Sequence, residues 1–381
     1  MRLIVDAVVS QGRGLALDTE GKQVLVRDAL PGEIVEAVIQ REHRSYSLAD
    51  TIEVLQPHPR RITPPCPYWG ICGGCDFQYA DQVFQAELKE SIVTDALSRT
   101  GKIEPGSYRL EEQVTGSGWA YRSRARFFVN LGAKQVGFMA RGSNTLVSID
   151  HCPVVTDSLN ALLADPRPLF EAARAQMFAN RVTKSGLVEV PAFGWEDRSA
   201  LLDKEITIEA GGRHFTLSSM VFFQSNVTLL GAMGKYVSSL VEGERVMDLY
   251  SGVGTFAAFL DQGGRSVTAV ERQKQCLNFA RRNAPHATFY TESAESWAQR
   301  QRGGVDTVIV DPPRVGLNAT LPPLIASWNP SRVIYVSCDE ASLARDVQRF
   351  VALGYSVQSL RLFDLYPQTF HTESVVLLTR S

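Results

Sequence analysis

From about residue 219 to its end, the chain repeats one pattern: a buried apolar strand, a short loop and a helix. The pattern occurs in VMDLYSGVGTFAAFL, SVTAVERQKQCLNFARRNA, VDTVIVDPPR and VIYVSCDEASLARDV. Strands that alternate with helices usually pair in parallel, with helices on both faces, so this region predicts an open α/β sheet of the Rossmann-like type. Because such sheets bind ligands outside the carboxyl ends of their strands, the loops that follow the strands are the first candidates for a site.

The composition of the 381-residue chain bounds its class. A hydrophobic content of 44% and a charged content of 21% are typical of a globular protein with room for two or three domains. The net charge is −2, so contact with a nucleic acid would depend on local basic patches. The first residues lack a secretory signal pattern, and apolar runs stay short of the roughly 18 residues of a membrane span. We expect a cytoplasmic enzyme without membrane contact, and no obligate protein partner is evident.

Two further regions precede the α/β pattern. Short β-rich runs on either side of Pro31 and Gly32 predict a small OB-like β-barrel over residues 1–57, a fold often used on nucleic acids. We assign residues 58–218 to a β-rich central domain and residues 219–381 to the α/β domain.

The segment YRSRARFFVN of the central domain places an arginine at every second position. Arg122, Arg124 and Arg126 would therefore share one face of a strand. Such a face is either simply solvated or contacts phosphate groups, and the sequence leaves both interpretations open.

Three of the six cysteines, Cys66, Cys72 and Cys75, lie close together in PPCPYWGICGGC. In a reducing cytosol, such a cluster is more often a metal site than a disulfide framework. Tetrahedral iron or zinc needs a fourth ligand, and Cys152 in IDHCPV is the best candidate. The spacing C-x5-C-x2-C lacks the paired CxxC knuckles that would point to zinc, so we favour an iron–sulfur cluster. A zinc site and unligated buried thiols are the alternatives.

The first loop of the α/β domain fits a nucleotide-containing cofactor. In DLYSGVGTF, Gly252 and Gly254 allow the backbone to approach a ligand closely, and Asp248 precedes the turn as in SAM-dependent methyltransferases. Glu271 ends the next strand, where a carboxylate binds ribose hydroxyls in SAM and NAD sites alike. Asp311, in the rigid loop VDPPR, follows a later strand and would face the same edge.

Two reactive residues would share that edge. Cys338 follows the strand of VIYVSCDEAS, and Glu373 lies just before the strand-like run SVVLL. Carbon 5 of a pyrimidine is a poor nucleophile, but addition of a thiolate to C6 enables C5 to accept a methyl group, and a base must then remove the C5 proton. Either residue alone would more often serve packing. Their occurrence together with DPPR and the glycine turn favours this chemistry.

Taken together, these motifs resemble the RNA uracil-5-methyltransferase family, SAM-dependent enzymes that make 5-methyluridine in rRNA or tRNA. The resemblance covers essentially the whole chain, since the cysteine spacing, FFQSN, DLYSGVGTF, DPPR, VSC and the terminal HTE occur in the family's order. It implies Cys338 as the nucleophile and Glu373 as the base. It implies a [4Fe–4S] cluster whose ligands are Cys66, Cys72, Cys75 and Cys152. The contacts to SAM or to the target uracil that it implies are Gln224, Tyr250, Gly252, Glu271 and Asp311.

The amino-terminal segment is similar to a TRAM domain, an RNA-binding barrel, and its presence favours the members that modify rRNA. We therefore expect C5 methylation of a specific uridine in RNA, in 23S rRNA in the first place. The alternatives are a uridine in tRNA, C5 of a cytosine in RNA, and a non-catalytic RNA-binding factor. One departure from the family is Asp339-Glu340 after Cys338, where Asn-Pro is usual. The added negative charge would raise the pKa of the thiol.

Overall fold

The structure, a computed structural model, describes residues 1–179, 182–261 and 264–380. In chain order the strands are β1 (Arg2–Val9), β2 (Arg13–Leu17), β3 (Gln23–Arg27), β4 (Ile34–Glu42), β5 (Tyr46–Gln56), β6 (Arg109–Leu110), β7 (Arg124–Asn130), β8 (Gln135–Met139), β9 (Leu146–Ser148), β10 (Val188–Trp195), β11 (Arg198–Leu201), β12 (Glu205–Ala210), β13 (Arg213–Ser218), β14 (Arg245–Leu249), β15 (Ser266–Glu271), β16 (Thr288–Thr291), β17 (Thr307–Val310), β18 (Arg332–Ser337), β19 (Tyr355–Phe363) and β20 (Glu373–Arg380). The helices are α1 (Gln82–Arg99), α2 (Asp157–Ala164), α3 (Arg167–Phe178), α4 (Val227–Leu240), α5 (Thr255–Leu260), α6 (Lys274–Asn283), α7 (Ala294–Arg300), α8 (Leu321–Ser327) and α9 (Glu340–Val351). None of the described helices combines the length and the apolarity needed to cross a lipid bilayer.

The first five strands close into a small barrel in the order β1-β2-β3-β5-β4. β3 and β5 run parallel, and the other neighbours are antiparallel. Successive side chains of a strand point to opposite faces, so every second residue faces the interior. Val5, Val24, Val26, Val35 and Ala37 are buried in this way and fill the barrel. The small amino-terminal barrel that the sequence predicts is confirmed.

The central part of the chain contributes two smaller antiparallel sheets. One has the order β11-β10-β7-β8-β9, and the other pairs β12 with β13. Helices α2 and α3 pack against β10 and cover an apolar core that includes Phe127, Val129, Leu159 and Val190. This core is separate from that of the barrel.

The carboxyl-terminal sheet has the order β16-β15-β14-β17-β18-β20-β19-β6. Strands β14 to β18 are mutually parallel, and β20 is inserted antiparallel between β18 and β19. Helices α4, α5 and α6 belong to the apolar cluster on one face, and α7, α8 and α9 to the cluster on the other. This is the doubly wound α/β architecture that the sequence predicts.

Helix α1 and strand β6 from the predicted central domain pack with the carboxyl-terminal sheet, and the β12–β13 pair packs against α4 and α6. Helix α1 contacts α9, and its residues Val93 and Leu97 join the apolar cluster on that face. Strand β6 pairs in parallel with β19 at the sheet edge. Residues 58–218 are contiguous in the chain, and their buried side chains are distributed over several apolar clusters, two of which they share with the carboxyl-terminal sheet.

Candidate active site

A cavity of about 1050 Å³ opens at the carboxyl ends of the parallel strands. Tyr250, Glu271, Asp311 and Cys338 end or directly follow β14, β15, β17 and β18, and such positions meet at one edge of a parallel sheet. Strand β20 runs the other way beside β18, so its first residue, Glu373, reaches the same edge. The lining of the cavity includes all seven predicted cofactor and catalytic positions: Gln224, Tyr250, Gly252, Glu271, Asp311, Cys338 and Glu373.

The loop after β14 turns sharply against the end of β15. Gly252 and Gly254 have φ values of 54° and 77°, in the left-handed region that favours glycine. The N–H of Gly252 donates to Glu271 Oε2 at 3.1 Å, and the Tyr250 hydroxyl donates to Glu295 Oε1 at 3.0 Å. Carboxylates thus lie beside a loop that leaves room for a ligand. This arrangement would suit a nucleoside whose ribose hydroxyls need hydrogen-bond acceptors.

Buried carboxyl groups make this end of the sheet acidic. Burial, and then the nearby Asp311 carboxylate, raises the pKa of Asp248 to about 8. Asp248 Oδ2 accepts the N–H of Ala257 at 3.2 Å, whereas Oδ1 has no partner among the described residues. Burial also raises the pKa of Asp311 to about 7. Of these two carboxyl groups Asp311 borders the cavity, where its ionised form would favour a ligand that carries positive charge, as SAM does at its sulfonium.

Burial is the main reason why the pKa of the Cys338 thiol rises to about 12, and the carboxylates of Glu373 and Asp311 add to it. The guanidinium of Arg314 opposes the rise. Asp339 acts in the direction that the sequence predicts, but as the smallest of these causes. Its side chain caps the start of α9. In the free protein the thiol is protonated at neutral pH, so it needs a base before it can act as a nucleophile.

Glu373 lies at the centre of a buried hydrogen-bond network. Burial, and then the Asp311 carboxylate, raises its pKa to about 8. Glu373 Oε1 lies 3.4 Å from both Gln224 Nε2 and the Tyr366 hydroxyl, and that hydroxyl donates to Gln224 Oε1 at 2.6 Å. Sequence reasoning did not single out Tyr366. Its link to Gln224, 142 positions earlier, is a contact that only the folded chain reveals.

Another contact missed by sequence reasoning joins the two loops that border the cavity. Arg314, in the DPPR loop, donates to His371 Nε2 at 2.8 Å. Burial, and then the positive charge of Arg314, lowers the pKa of His371 to about 3. The imidazole is therefore neutral, and its Nε2 is free to accept a hydrogen bond. The loop after β17 is held in this way against the segment that leads into β20.

The three arginines of YRSRARFFVN do not form one uniform face. Arg122 and Arg124 border the large cavity, and the guanidinium of Arg124 lies 5.9 Å from the centre of the Phe222 ring. Arg126 is exposed instead, and lies 3.4 Å from the carboxylate of Glu189. Strand β7 begins only at Arg124, so the predicted alternation covers two of the three arginines.

The four predicted cluster ligands border a second cavity, of about 170 Å³: Cys66, Cys72, Cys75 and Cys152. Burial raises the pKa of the first three thiols, that of Cys75 to about 12. Asn160 holds the Cys152 loop, because its Oδ1 accepts the Cys152 N–H at 2.9 Å and its Nδ2 donates to the Cys152 carbonyl at 3.0 Å. Within residues 1–179, 182–261 and 264–380, no group of three or more His, Cys, Asp or Glu side chains is placed to hold a single metal ion. Sulfurs spaced around a cavity would suit a cluster of several atoms, whose iron would replace the thiol protons.

The two cavities share a thin wall. Gly73, Gly74 and Arg122 border both of them. The N–H of Gly73 donates to the Met139 carbonyl oxygen at 3.0 Å, and a Cβ on this glycine would lie 3.2 Å from the same oxygen. A larger residue at this position would therefore push the loop away from β8.

Comparison with known proteins identifies the family. A family model described as tRNA (Uracil-5-)-methyltransferase matches residues 300–381, which include DPPR, Cys338 and Glu373. The curated 23S rRNA (uracil(1939)-C(5))-methyltransferase RlmD of Chromohalobacter salexigens is 33% identical over 99% of this chain and 89% of its own length. The protein of the same name from Shewanella amazonensis is 32% identical over 96% of this chain and 92% of its own.

A solved structure shares the fold over the full length. The tRNA (uracil-54, C5)-methyltransferase of Pyrococcus abyssi, in complex with S-adenosyl-L-homocysteine, superposes with a TM-score of 0.74 over 100% of this chain and 99% of that chain, at 22% identity. The fold, the family model and the identity to the curated relatives agree. The chain is a methyltransferase and belongs to the RNA uracil-5-methyltransferase family.

Proposed function

We propose that this enzyme methylates C5 of one specific uridine in 23S rRNA, with SAM as the methyl donor. The observation that carries the proposal is that Cys338 and Glu373, 35 positions apart in the chain, border one cavity together with Gln224 and Asp311. The choice of rRNA follows the curated relatives, which act by name on uracil 1939 of 23S rRNA.

The loop after β14 would hold SAM. Glu271 would accept hydrogen bonds from the ribose hydroxyls, and Tyr250 and Gly252 would border the adenosine. Bound SAM supplies an electrophilic methyl carbon on a positively charged sulfur. The Asp311 carboxylate at the cavity wall would favour that charge, and the charge in turn would oppose the rise in the pKa of the Cys338 thiol.

The reaction at the uracil would proceed by addition and elimination. The Cys338 thiol loses its proton to the Asp311 carboxylate, which leaves Glu373 ionised for the later step, and the thiolate forms a bond to C6. The C5–C6 electron pair forms a bond from C5 to the methyl carbon while the bond between that carbon and the sulfonium sulfur breaks, and S-adenosyl-L-homocysteine leaves with that electron pair. Glu373 then takes the proton from C5, the electrons of that C–H bond restore the C5–C6 double bond, and the bond between sulfur and C6 breaks. The enzyme regains a free cysteine, and the product is 5-methyluridine.

The target base must leave its stack, since C5 has to lie between Cys338 and Glu373 inside the cavity.

We propose that the barrel over residues 1–57 is a TRAM-type RNA-binding domain and that residues 58–218 form the domain of a [4Fe–4S] cluster. The cluster would be held by Cys66, Cys72, Cys75 and Cys152 and would shape the loop between the two cavities. The setting that we propose is the cytoplasm, where the ribosomal substrate is made.

A uridine in tRNA is the second candidate substrate. It is favoured by the likeness in fold to a tRNA methyltransferase, but that protein shares less sequence with this chain than the rRNA enzymes do. A purely RNA-binding role fits less well, because both the thiol and the buried carboxyl group border the cavity. Cytosine-5 methylation would use the same thiol addition, and it fits less well because the curated relatives act by name on uracil.

The proposal is tested with SAM and 23S rRNA fragments that carry 5-fluorouridine, whose C5 has no proton to lose. Wild-type protein is expected to form an SDS-resistant adduct, and Cys338→Ala to form none. With ordinary uridine, Glu373→Gln should accumulate the methylated adduct, because attack and methyl transfer remain possible while proton removal does not. Fragments of 23S rRNA and tRNA transcripts, assayed side by side, separate the two substrates. A wild-type protein that forms no adduct and transfers no methyl group to either RNA would contradict the proposal.

A further inference from the structure

Tyr366 lies in the buried network beside Glu373 without a role in the chemistry described so far. Its hydroxyl is in the same cavity wall and makes a short hydrogen bond, 2.6 Å, to Gln224 Oε1. The same hydroxyl lies 3.4 Å from Glu373 Oε1. A phenylalanine would fill the same space, so the hydroxyl is the group that needs an explanation.

The Tyr366 hydroxyl fixes the orientation of the Gln224 side-chain amide. Glu373 Oε1 can only accept, so the nitrogen of the amide, Nε2, faces it at 3.4 Å. The amide oxygen must then face Tyr366, which donates its single hydrogen to it. One N–H of the amide remains without a partner among the described residues, on a side chain that borders the cavity. Gln224 therefore presents a donor to the bound base.

A donor at this place distinguishes uracil from cytosine. Uracil carries a carbonyl oxygen at C4, which accepts a hydrogen bond, whereas cytosine carries an amino group, which only donates. C4 is bonded to C5, the carbon whose proton Glu373 removes, so the neighbours Gln224 and Glu373 are suited to face neighbouring atoms of one ring. A flipped amide would present its oxygen instead and would favour cytosine.

The same network distinguishes the two oxygens of Glu373. Oε1 accepts from Gln224 Nε2, while Oε2 is buried and has no partner in the part of the chain that the structure describes. Oε1 remains an acceptor in both the ionised and the protonated form of Glu373. The proton that the carboxyl group takes up and releases is therefore carried by Oε2.

We propose that Tyr366 is a positioning residue that locks the Gln224 amide as a donor to the C4 carbonyl of uracil and leaves Glu373 Oε2 as the oxygen that takes the C5 proton. This inference rests on the proposed function and deepens it, because it says how the cavity selects uracil.

The test compares wild-type protein, Tyr366→Phe and Tyr355→Phe. Tyr355 is a buried tyrosine whose hydroxyl donates to the Pro330 carbonyl at 3.1 Å on another part of the sheet, so it controls for the loss of a hydrogen-bonded hydroxyl. The first readout is the ratio of adduct formed on RNA with 5-fluorouridine to that with 5-fluorocytidine at the target position. We expect Tyr366→Phe to lower this ratio by about fivefold, the equivalent of one buried hydrogen bond, and Tyr355→Phe to leave it unchanged.

The second readout is the release of tritium from C5 of labelled uridine as a function of pH. Proton removal needs ionised Glu373, so the rate rises with pH through the pKa of that group. Asp311, Cys338, Arg314 and Tyr366 face the carboxyl group, and the hydrogen bond from Gln224 Nε2, which Tyr366 holds in place, lowers its pKa. Loss of the hydroxyl should therefore move the midpoint of the rise to higher pH.

An unchanged base ratio together with an unchanged midpoint in folded Tyr366→Phe would overturn the inference. If that variant fails to fold, Gln224→Glu provides the test, because a carboxylate offers no donor and should lose the preference for uracil. A Gln224→Glu enzyme that keeps the preference would also overturn the inference. Failure of the proposed function looks different, since wild-type protein would then form no adduct and release no tritium.

Discussion

The ammonium group of Lys89 donates to the carboxylate of Asp364 at 2.6 Å, and both side chains are fully buried. Lys89 also donates to the Tyr366 carbonyl oxygen at 3.0 Å. Burial lowers the pKa of Lys89, and Asp364 opposes that change. This ion pair fastens α1 to the segment that carries Tyr366 and leads into Glu373, so a helix from the predicted central domain supports the catalytic cavity.

Removal of one partner of this pair should be costly. Lys89→Met leaves the Asp364 carboxylate buried without a counter-charge, and we expect the free energy of unfolding to fall by about 3–5 kcal/mol. The double variant Lys89→Met/Asp364→Leu removes both charges and should recover most of the loss. Urea unfolding of the two variants checks this expectation. Equal stabilities for the single and the double variant would contradict it.

We expect Asp339 to contribute more by capping the start of α9 than by placing its charge beside Cys338. Asp339→Asn keeps an acceptor for the N–H of Ser342, 2.8 Å away, and should leave adduct formation by Cys338 within about twofold of wild type. Asp339→Ala loses the cap and should lower the free energy of unfolding by about 1 kcal/mol. If Asp339→Asn instead sped up the adduct strongly, charge beside the thiol would be the main effect.

Asp248 makes the stability of the free protein depend on pH. Its pKa in the folded protein, about 8, lies above that of an unfolded chain, so between these values the folded state holds a proton that the unfolded state has lost. The contribution of Asp248 to the free energy of unfolding therefore decreases as the pH rises towards 8. Asp248→Asn should flatten this decline, measured by urea unfolding at pH 5 and pH 8. Asp306→Asn is the control. The pKa of Asp306 is lowered to about 2, so its titration changes the free energy of unfolding only at acid pH.

The cysteine-lined cavity predicts a specific metal content. Protein purified without oxygen should contain roughly four iron and four sulfide per chain, and Cys152→Ala should lose most of both. Cys276→Ala is the matched control, because this buried cysteine lies outside the smaller cavity and should leave the iron content unchanged. Zinc in place of iron, measured by elemental analysis, would contradict the proposed cluster.

The barrel should contribute to RNA binding through Arg13. This residue borders a cavity of about 340 Å³, and Gly73 and Asp76 border both this cavity and the catalytic one. We expect Arg13→Ala to weaken binding of all RNA sequences alike and to reduce the slope of log affinity against log salt by about one, measured by filter binding. Arg99→Ala, an exposed site on α1, is the control and should leave the slope unchanged.

Local pattern was sufficient to predict which residues border the large cavity. The loops after parallel strands carry Tyr250, Asp311 and Cys338, and sheet topology alone brings such loops to one edge. The position of Glu373 could be anticipated from its chemistry, but its approach to Cys338 depends on β20 running antiparallel beside β18, which no short motif specifies.

Contacts between distant segments could not be predicted from the sequence. Tyr366 and Gln224 meet through a hydrogen bond, and Lys89 meets Asp364 across 275 positions. The local sequence around these residues does not indicate either contact. Both contacts form only because α1 and the final loop pack against the sheet. The same packing explains why residues 58–218 do not form one unit.

Gly73 and Gly74 border both the thiol-lined space and the chamber that would receive the uracil. A change in the loop that carries them therefore alters the shape of both spaces at once. We expect damage to the proposed cluster to lower methylation through shape alone, since no electron takes part in the reaction.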